Sequence, residues 1–173
     1  MIFALKMLGI MAVLSGVMII IYLKIKEKKK SLIFLTDFIS CIKYIEDLIS
    51  VSAIPFEEVL VKTRETAKES RIFFENVGNF LKNEDNPTLF DVWTECAEFL
   101  KNEGLKPETV SVIKRIGSHL GTMSISIEAE NLKLARGELL KIKERIEQEC
   151  AKECKLIKSL GAAICGFIIL IFI

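Results

Sequence analysis

Residues that interrupt helices or build reactive centres are scarce in this sequence. Its 173 residues include three prolines, one histidine and one tryptophan. So few prolines leave long stretches in which a helix can run without a break, and a single histidine excludes a metal site built from several imidazoles. No C-x-x-C pair occurs among the five cysteines. Their odd number indicates free thiols in a reducing compartment rather than a disulfide framework.

Charge is also absent from both ends of the chain. Residues 7–23 and 159–173 contain no charged side chain, and 46 of the 47 acidic and basic residues lie between positions 24 and 158. Residues 31–158 contain 18 basic and 22 acidic residues, so this part is mildly acidic. A nucleic-acid-binding domain would instead spread basic residues, interleaved with aromatic ones, over one face of its fold. We therefore expect no nucleic acid among the partners.

The N-terminal apolar run predicts a retained membrane anchor. Its seventeen residues would rise about 25 Å as a helix, near the lower limit for crossing the hydrocarbon layer. The run is not followed by the small residues of a signal-peptide cleavage site. Five lysines follow within seven positions, and the positive-inside rule places them in the cytoplasm, where they set the topology and attract anionic membrane lipids. They are Lys24, Lys26, Lys28, Lys29 and Lys30.

The C-terminal apolar run is shorter. Residues 159–173 would rise about 22 Å, which is marginal for one span. Lys155 and Lys158 precede the run, so we expect it to enter the membrane from the cytoplasm; the alternative is an apolar helix of the protein core. The chain is thus divided into an N-terminal transmembrane anchor (1–23), a basic juxtamembrane segment (24–30), a cytosolic helical domain (31–158) and a C-terminal transmembrane segment (159–173).

The middle of the chain predicts an all-α bundle of about six helices. Its apolar residues recur at helical spacing, and strand patterns are missing. A first helix, with apolar positions from Phe34 to Ile49, could continue the N-terminal anchor. It should end before Pro55, which opens a second helix with Glu57 and Glu58 at the positive end of the helix dipole.

Three further short helices are expected between residues 72 and 120. The turn-rich residues 83–87 follow the first of them, Thr88 caps the second, and Pro107 opens the third after Gly104 ends the second. Their apolar stripes are expected to form core rather than a ligand site. These residues are Ile72, Phe73, Val77, Phe80, Leu81, Leu89, Val92, Trp93, Cys96, Phe99, Leu100, Val110, Ile113, Ile116 and Leu120.

A much longer helix is expected from about residue 124 to residue 159. This stretch contains no proline and one glycine, Gly137. A helix of this length extends about 52 Å, and its apolar residues step by three and four as in a coiled coil. We expect a rod that runs into the C-terminal apolar segment and packs against the first helix. Its seam residues are Leu132, Ala135, Leu139, Ile142 and Ile146.

Reactive residues are too isolated to predict an active site. His119, the single histidine, has no nucleophile or orienting acid at an indicative spacing. Cys150 and Cys154 share a helix face and could supply two zinc ligands, but no second pair completes the site. No G-x-x-x-x-G-K-[ST] sequence is present, which excludes a P-loop. We expect no enzyme activity, metal or cofactor; the alternative is a membrane-tethered enzyme that uses His119 or the cysteines.

Two glycines mark a corner before the long helix. Gly117 and Gly121 each cost a helix about 1 kcal/mol relative to alanine, so we expect them to serve close backbone approach and a turn. With Leu120 they form a Gly-x-x-Leu-Gly motif. It is preceded by Ile-Pro-Phe-Glu-Glu-Val-Leu, which contains Pro55 and Glu58, and by Asp-Val-Trp, which ends at Trp93. In this order, between a basic N-terminal anchor and an apolar tail, these features resemble the stage III sporulation protein AB family over essentially the whole chain.

The resemblance implies a function that composition alone does not. The family is similar to the F-type inner-membrane platform protein of type II secretion and type IV pilus machines. Its members belong to the channel between mother cell and forespore, and lie in the mother-cell membrane around the forespore with the helical domain in the cytoplasm. The implied partners are a secretion-type ATPase, stage III sporulation protein AA, and other channel components; self-association is left open. The leading hypothesis is a non-enzymatic platform that links this ATPase to the channel.

Overall fold

The fold is all-α over the residues that the computed structural model describes, which are 2–51, 54–83, 88–120 and 125–172. These residues form six helices and no strand, which confirms the prediction of an all-α fold with about six helices. They divide between two compact units, one of Met1–Lys30 with Ile146–Ile173 and the other of Ser31–Arg145. The helices are α1 (Ile2–Val51), α2 (Phe56–Thr66), α3 (Arg71–Asn83), α4 (Leu89–Asn102), α5 (Pro107–Gly117) and α6 (Ile125–Phe172).

The first and last helices are far longer than the other four. α1 has 50 residues and α6 has 48, whereas α2 to α5 have between 11 and 14. α1 passes through the basic segment 24–30 without a break, so the helix that enters the bundle continues the N-terminal apolar run. α6 likewise continues from its seam into the C-terminal apolar run.

Within the described ranges, none of the helices combines the length and the apolar character that a transmembrane span requires. The two transmembrane segments therefore stay predictions from the sequence.

Local sequence signals set the helix ends. α1 ends at Val51, and Pro55 precedes α2, where its carbonyl accepts hydrogen bonds from the amides of Glu58 (3.0 Å) and Val59 (3.2 Å). Pro55 therefore stands one position before the first helical residue instead of within the first turn. The Thr88 hydroxyl accepts a hydrogen bond from the amide of Asp91 and so caps α4, as predicted.

The end of α4 explains Gly104. This glycine has φ +88°, a conformation in which an L side chain is strained. Its amide donates to the carbonyl of Lys101 (3.1 Å), and the amide of Leu105 donates to that of Leu100 (3.2 Å). This pair of bonds is a Schellman motif, which satisfies the last carbonyls of the helix. Gly104 thus ends α4 as predicted.

Most residues of the predicted stripes are buried, but Ile72 and Phe99 are exposed and Phe80, Leu81 and Leu89 are only half-buried. All five seam residues of α6 are buried, as is Trp93. Ile72, however, is 70% exposed, and Phe74 is buried in its place beside Phe73. Phe99 is 49% exposed although it had been assigned to the core. On α3 the true stripe is rotated by about one residue from the predicted one, within a run of three adjacent apolar residues that can be read in either register. On α4 the rest of the stripe from Val92 to Leu100 is buried as predicted, together with Ala97.

Candidate functional site

Trp93 stands at the centre of an aromatic cluster in the bundle. Its ring lies edge-on to Phe73 at 4.9 Å and to Phe74 at 6.2 Å between centroids. Phe38 of α1 stacks on Phe74 at 5.6 Å. Edge-to-face and offset contacts of this kind stabilise beyond the area that they bury. The tryptophan-helix motif therefore joins α1, α3 and α4 into one core.

The indole nitrogen of Trp93 also binds α5. Its Nε1–H donates to the carbonyl of Ile113 over 2.7 Å, inside the core. A buried indole needs such an acceptor, because an unpaired polar group away from water costs about 1–3 kcal/mol. The hydrogen bond fixes the position of α5 against the face of α4.

Gly117 lies directly against the same side chain. A Cβ placed on Gly117 would be 2.5 Å from Cδ1, 2.6 Å from Cγ and 2.8 Å from Cβ of Trp93. No side chain larger than hydrogen fits at such distances unless the two helices move apart. The absence of a side chain at Gly117 therefore lets α5 approach the Trp93 ring closely. Leu120 is buried, and Gly121 lies outside the described residues.

A second cluster, which sequence reasoning missed, joins α1 to the start of α3. Asp37 Oδ2 accepts hydrogen bonds from the amide of Ser70 (2.8 Å), the hydroxyl of Ser70 (2.6 Å) and the amide of Lys68 (3.0 Å). Burial alone would raise the pKa of Asp37, but these hydrogen bonds outweigh it and hold the pKa below its usual range. The Cys41 thiol lies 3.5 Å from the Ser70 hydroxyl, and burial raises its pKa. We call this group the Asp37 clasp.

The basic segment is divided between paired and exposed lysines. Lys28 is half-buried, and its Nζ lies 2.6 Å from Glu153 and 3.4 Å from Glu149 of α6. The hydrogen bond that the Lys28 ammonium donates to Glu153 raises the pKa of Lys28, although partial burial opposes it. Lys26, Lys29 and Lys30 are exposed, and the side chain of Lys24 lies outside the described residues. The sequence showed five equivalent lysines, whereas one of them binds two glutamates more than 120 positions away.

The helix-start motif has a local role. Glu58 is exposed and pairs with Lys62 over 2.8 Å, one turn later on α2. With Glu57 it places negative charge at the positive end of the helix dipole. The role of Pro55 and Glu58 in starting α2 is therefore enough to explain why these residues are present.

The structure describes all three residues of the alternative enzyme hypothesis, which are His119, Cys150 and Cys154. Burial raises the pKa of the Cys150 thiol and so disfavours the thiolate that a nucleophile needs. Cys154 is half-buried, and His119 Nδ1 is buried without a hydrogen-bond partner in the described structure. A cleft of about 300 Å³ between α2 and α3 contains Arg64 and Glu75 but none of these three residues. Within the described ranges, no three His, Cys, Asp or Glu side chains are placed to hold a metal ion.

Comparison with known proteins identifies the family. The family model described as stage III sporulation protein AB matches residues 6–173. No curated protein and no solved structure matches the chain. The match extends over both apolar ends, the basic segment and the whole bundle. The chain therefore belongs to the stage III sporulation protein AB family, and its role is in sporulation.

Proposed function

We propose that this protein is a non-enzymatic platform subunit of the channel between mother cell and forespore. The observation that carries the proposal is the pair of helices α1 and α6. Each contains core residues of the bundle and each continues into one apolar end of the chain. A scaffold needs such a fixed orientation, whereas a diffusing enzyme does not. In this proposal the bundle receives a cytosolic partner, and the two helices hold it at the membrane.

The proposed location is the mother-cell membrane around the forespore, with both chain ends crossing it. Seventeen and fifteen uncharged residues at the two ends support two anchors, the second of them short. Lysines on the inner side of both runs support a cytoplasmic bundle. The Lys28 ion pairs with Glu149 and Glu153 support the proposal further, because they join α1 to α6 next to the two runs.

The proposed partner is a secretion-type ATPase, as the family resemblance implies. A bundle that links a motor to a channel must resist deformation. The aromatic cluster, the Trp93 hydrogen bond to Ile113 and the Gly117 contact give this bundle a closely packed centre. A closely packed centre of this kind is consistent with a platform that transmits force without deforming.

Crosslinking in sporulating cells tests the platform role. The full chain, tagged and crosslinked in place, should co-purify with the ATPase and with membrane components of the channel. A matched sample from cells that lack the ATPase should retain the membrane components. Recovery of the protein without any channel component would contradict the proposal.

Substitution of the isolated reactive residues separates a platform from an enzyme. His119→Gln, Cys150→Ala and Cys154→Ala, each made alone, should leave sporulation intact at normal protein levels. Loss of sporulation in one of these variants, with the protein still folded and in the membrane, would favour the membrane-tethered enzyme.

A further inference from the structure

The outward face of α1 changes from basic to apolar within two helical turns. Lys29, Lys26, Tyr22 and Ile19 are spaced by three and four residues, so they lie on one side of the helix. All four are exposed, Tyr22 to 65%. An aromatic residue between lysines and an apolar surface is typical of the level at which a membrane meets water.

The outward face of α6 shows the same change. Lys152 and Lys155 are exposed, and they are followed on that side by Leu156 and Leu160, which are also exposed. Long lysine stems beside an apolar surface can lie along it and carry their charge to the water layer. On each of the two long helices, a pair of exposed lysines therefore lies directly beside exposed apolar side chains. We call these pairs, Lys26 with Lys29 and Lys152 with Lys155, the basic steps.

The Lys28 ion pairs hold these two steps at the same level along α1 and α6. Lys28 lies two residues from Lys26 on α1, and its partner Glu153 lies two residues from Lys155 on α6. Both basic steps are therefore within about two helical turns of the same contact. Lys28 itself is occupied by Glu149 and Glu153. In contrast, Lys26, Lys29, Lys152 and Lys155 make no ion pair in the part of the chain that the structure describes.

We propose that Lys26, Lys29, Lys152 and Lys155 form a collar that binds the headgroups of anionic phospholipids. This inference rests on the proposed membrane location and goes beyond it, because an anchor needs only apolar length. Phosphate is the complementary partner of four unpaired ammonium groups. A lipid fits better than a free phosphate, because each basic step continues into an exposed apolar surface where acyl chains would lie.

The test uses the full chain in nanodiscs of phosphatidylcholine with a minor fraction of spin-labelled lipid. Spin-labelled phosphatidylglycerol should be immobilised by the protein more than spin-labelled phosphatidylcholine, and high salt should reduce the difference. Each lysine near an anionic surface strengthens the attraction up to roughly fivefold. Lys26→Gln with Lys155→Gln should therefore lower the preference several-fold, and the variant with all four lysines changed should lose it.

Lys133→Gln with Lys141→Gln is the matched control. These two lysines are exposed on α6 outside the collar, and their replacement removes the same charge. The control should keep the full preference for phosphatidylglycerol, and an excess of soluble glycerol phosphate should not remove it. Equal loss in both double variants, or displacement by glycerol phosphate, would overturn the collar. If the protein entered nanodiscs but showed no lipid preference, only the collar would be contradicted. If the protein failed to enter any nanodisc, the membrane location itself would be contradicted.

Discussion

Gly117 and Trp93 are in contact so close that the space between them admits only hydrogen. The nearest ring atom, Cδ1, would be 2.5 Å from a Cβ on Gly117. The same indole donates its N–H to Ile113, one turn earlier on α5. The Asp-Val-Trp and Gly-x-x-Leu-Gly motifs, whose Trp93 and Gly117 are 24 positions apart in the sequence, therefore form one structural unit. In it the glycine lets α5 reach the tryptophan.

Gly117→Ala should destabilise the protein, because the added methyl group forces α5 away from Trp93. Overpacking of this kind costs about 1–3 kcal/mol. Thermal unfolding of the full chain in detergent, followed by the fluorescence of the single tryptophan, measures the change. Gly137→Ala is the control: a Cβ there meets no atom within 4 Å, so alanine should stabilise α6 by up to about 1 kcal/mol. If both variants melted alike, the Gly117 contact would have no energetic role.

Asp37→Asn should destabilise the bundle near neutral pH by about 1–3 kcal/mol, because it removes the charge that three hydrogen bonds stabilise. The folded-state pKa of Asp37 lies below its unfolded value of about 3.9. The stabilisation is therefore complete above that pH and is lost as the pH falls through the folded value. The difference in the free energy of unfolding between wild type and variant should therefore disappear in acid.

Asp47→Asn is the matched control for the Asp37 clasp. Asp47 lies on the same helix but is more than half exposed, and its partner Lys43 is on the surface. Denaturant titrations at neutral and acidic pH should show little change for this variant. If the difference in the free energy of unfolding between Asp37→Asn and wild type did not depend on pH, the carboxylate charge would contribute nothing to stability.

Glu144→Pro should abolish sporulation while the protein stays in the membrane. Glu144 is exposed within α6, which is one helix from Ile125 to Phe172. Proline there removes a backbone hydrogen bond and clashes with a preceding carbonyl, at a cost of about 3 kcal/mol. Glu144→Ala removes the same charge, keeps the helix and should be tolerated. The measurement is the spore count of the two variants at matched protein levels. Full sporulation with the proline variant would mean that α6 is only a tether.

The helices could be predicted from the sequence because their signals are local. The three-and-four spacing of Leu132, Ala135 and Leu139 identifies the seam, and Gly104 identifies the end of α4. Ile72 was assigned to the core wrongly, because three adjacent apolar residues permit more than one register. Only packing against α1 and α4 selects Phe74 over Ile72.

The sites were less accessible to prediction, because their partners are distant in sequence. Close approach at Gly117 was expected, but Trp93 as its partner was not. Nothing near Asp37 indicates that it binds Ser70, and nothing near Lys28 points to Glu153. Both carboxylates occur among many exposed acidic residues, and only the fold distinguishes them.

The central claim is a helical platform held in the membrane by both ends with its bundle in the cytoplasm. Protease protection tests it in intact protoplasts of vegetative cells made to express the protein, because the membrane then faces the medium. Loop lysines such as Lys68 and Lys106 are exposed, so trypsin that reaches the bundle will cut it. The protein should stay full-length in intact protoplasts, be cut once they are permeabilised, and resist extraction by alkaline carbonate. Cleavage of the bundle in intact protoplasts, or release of the protein by carbonate, would contradict this account.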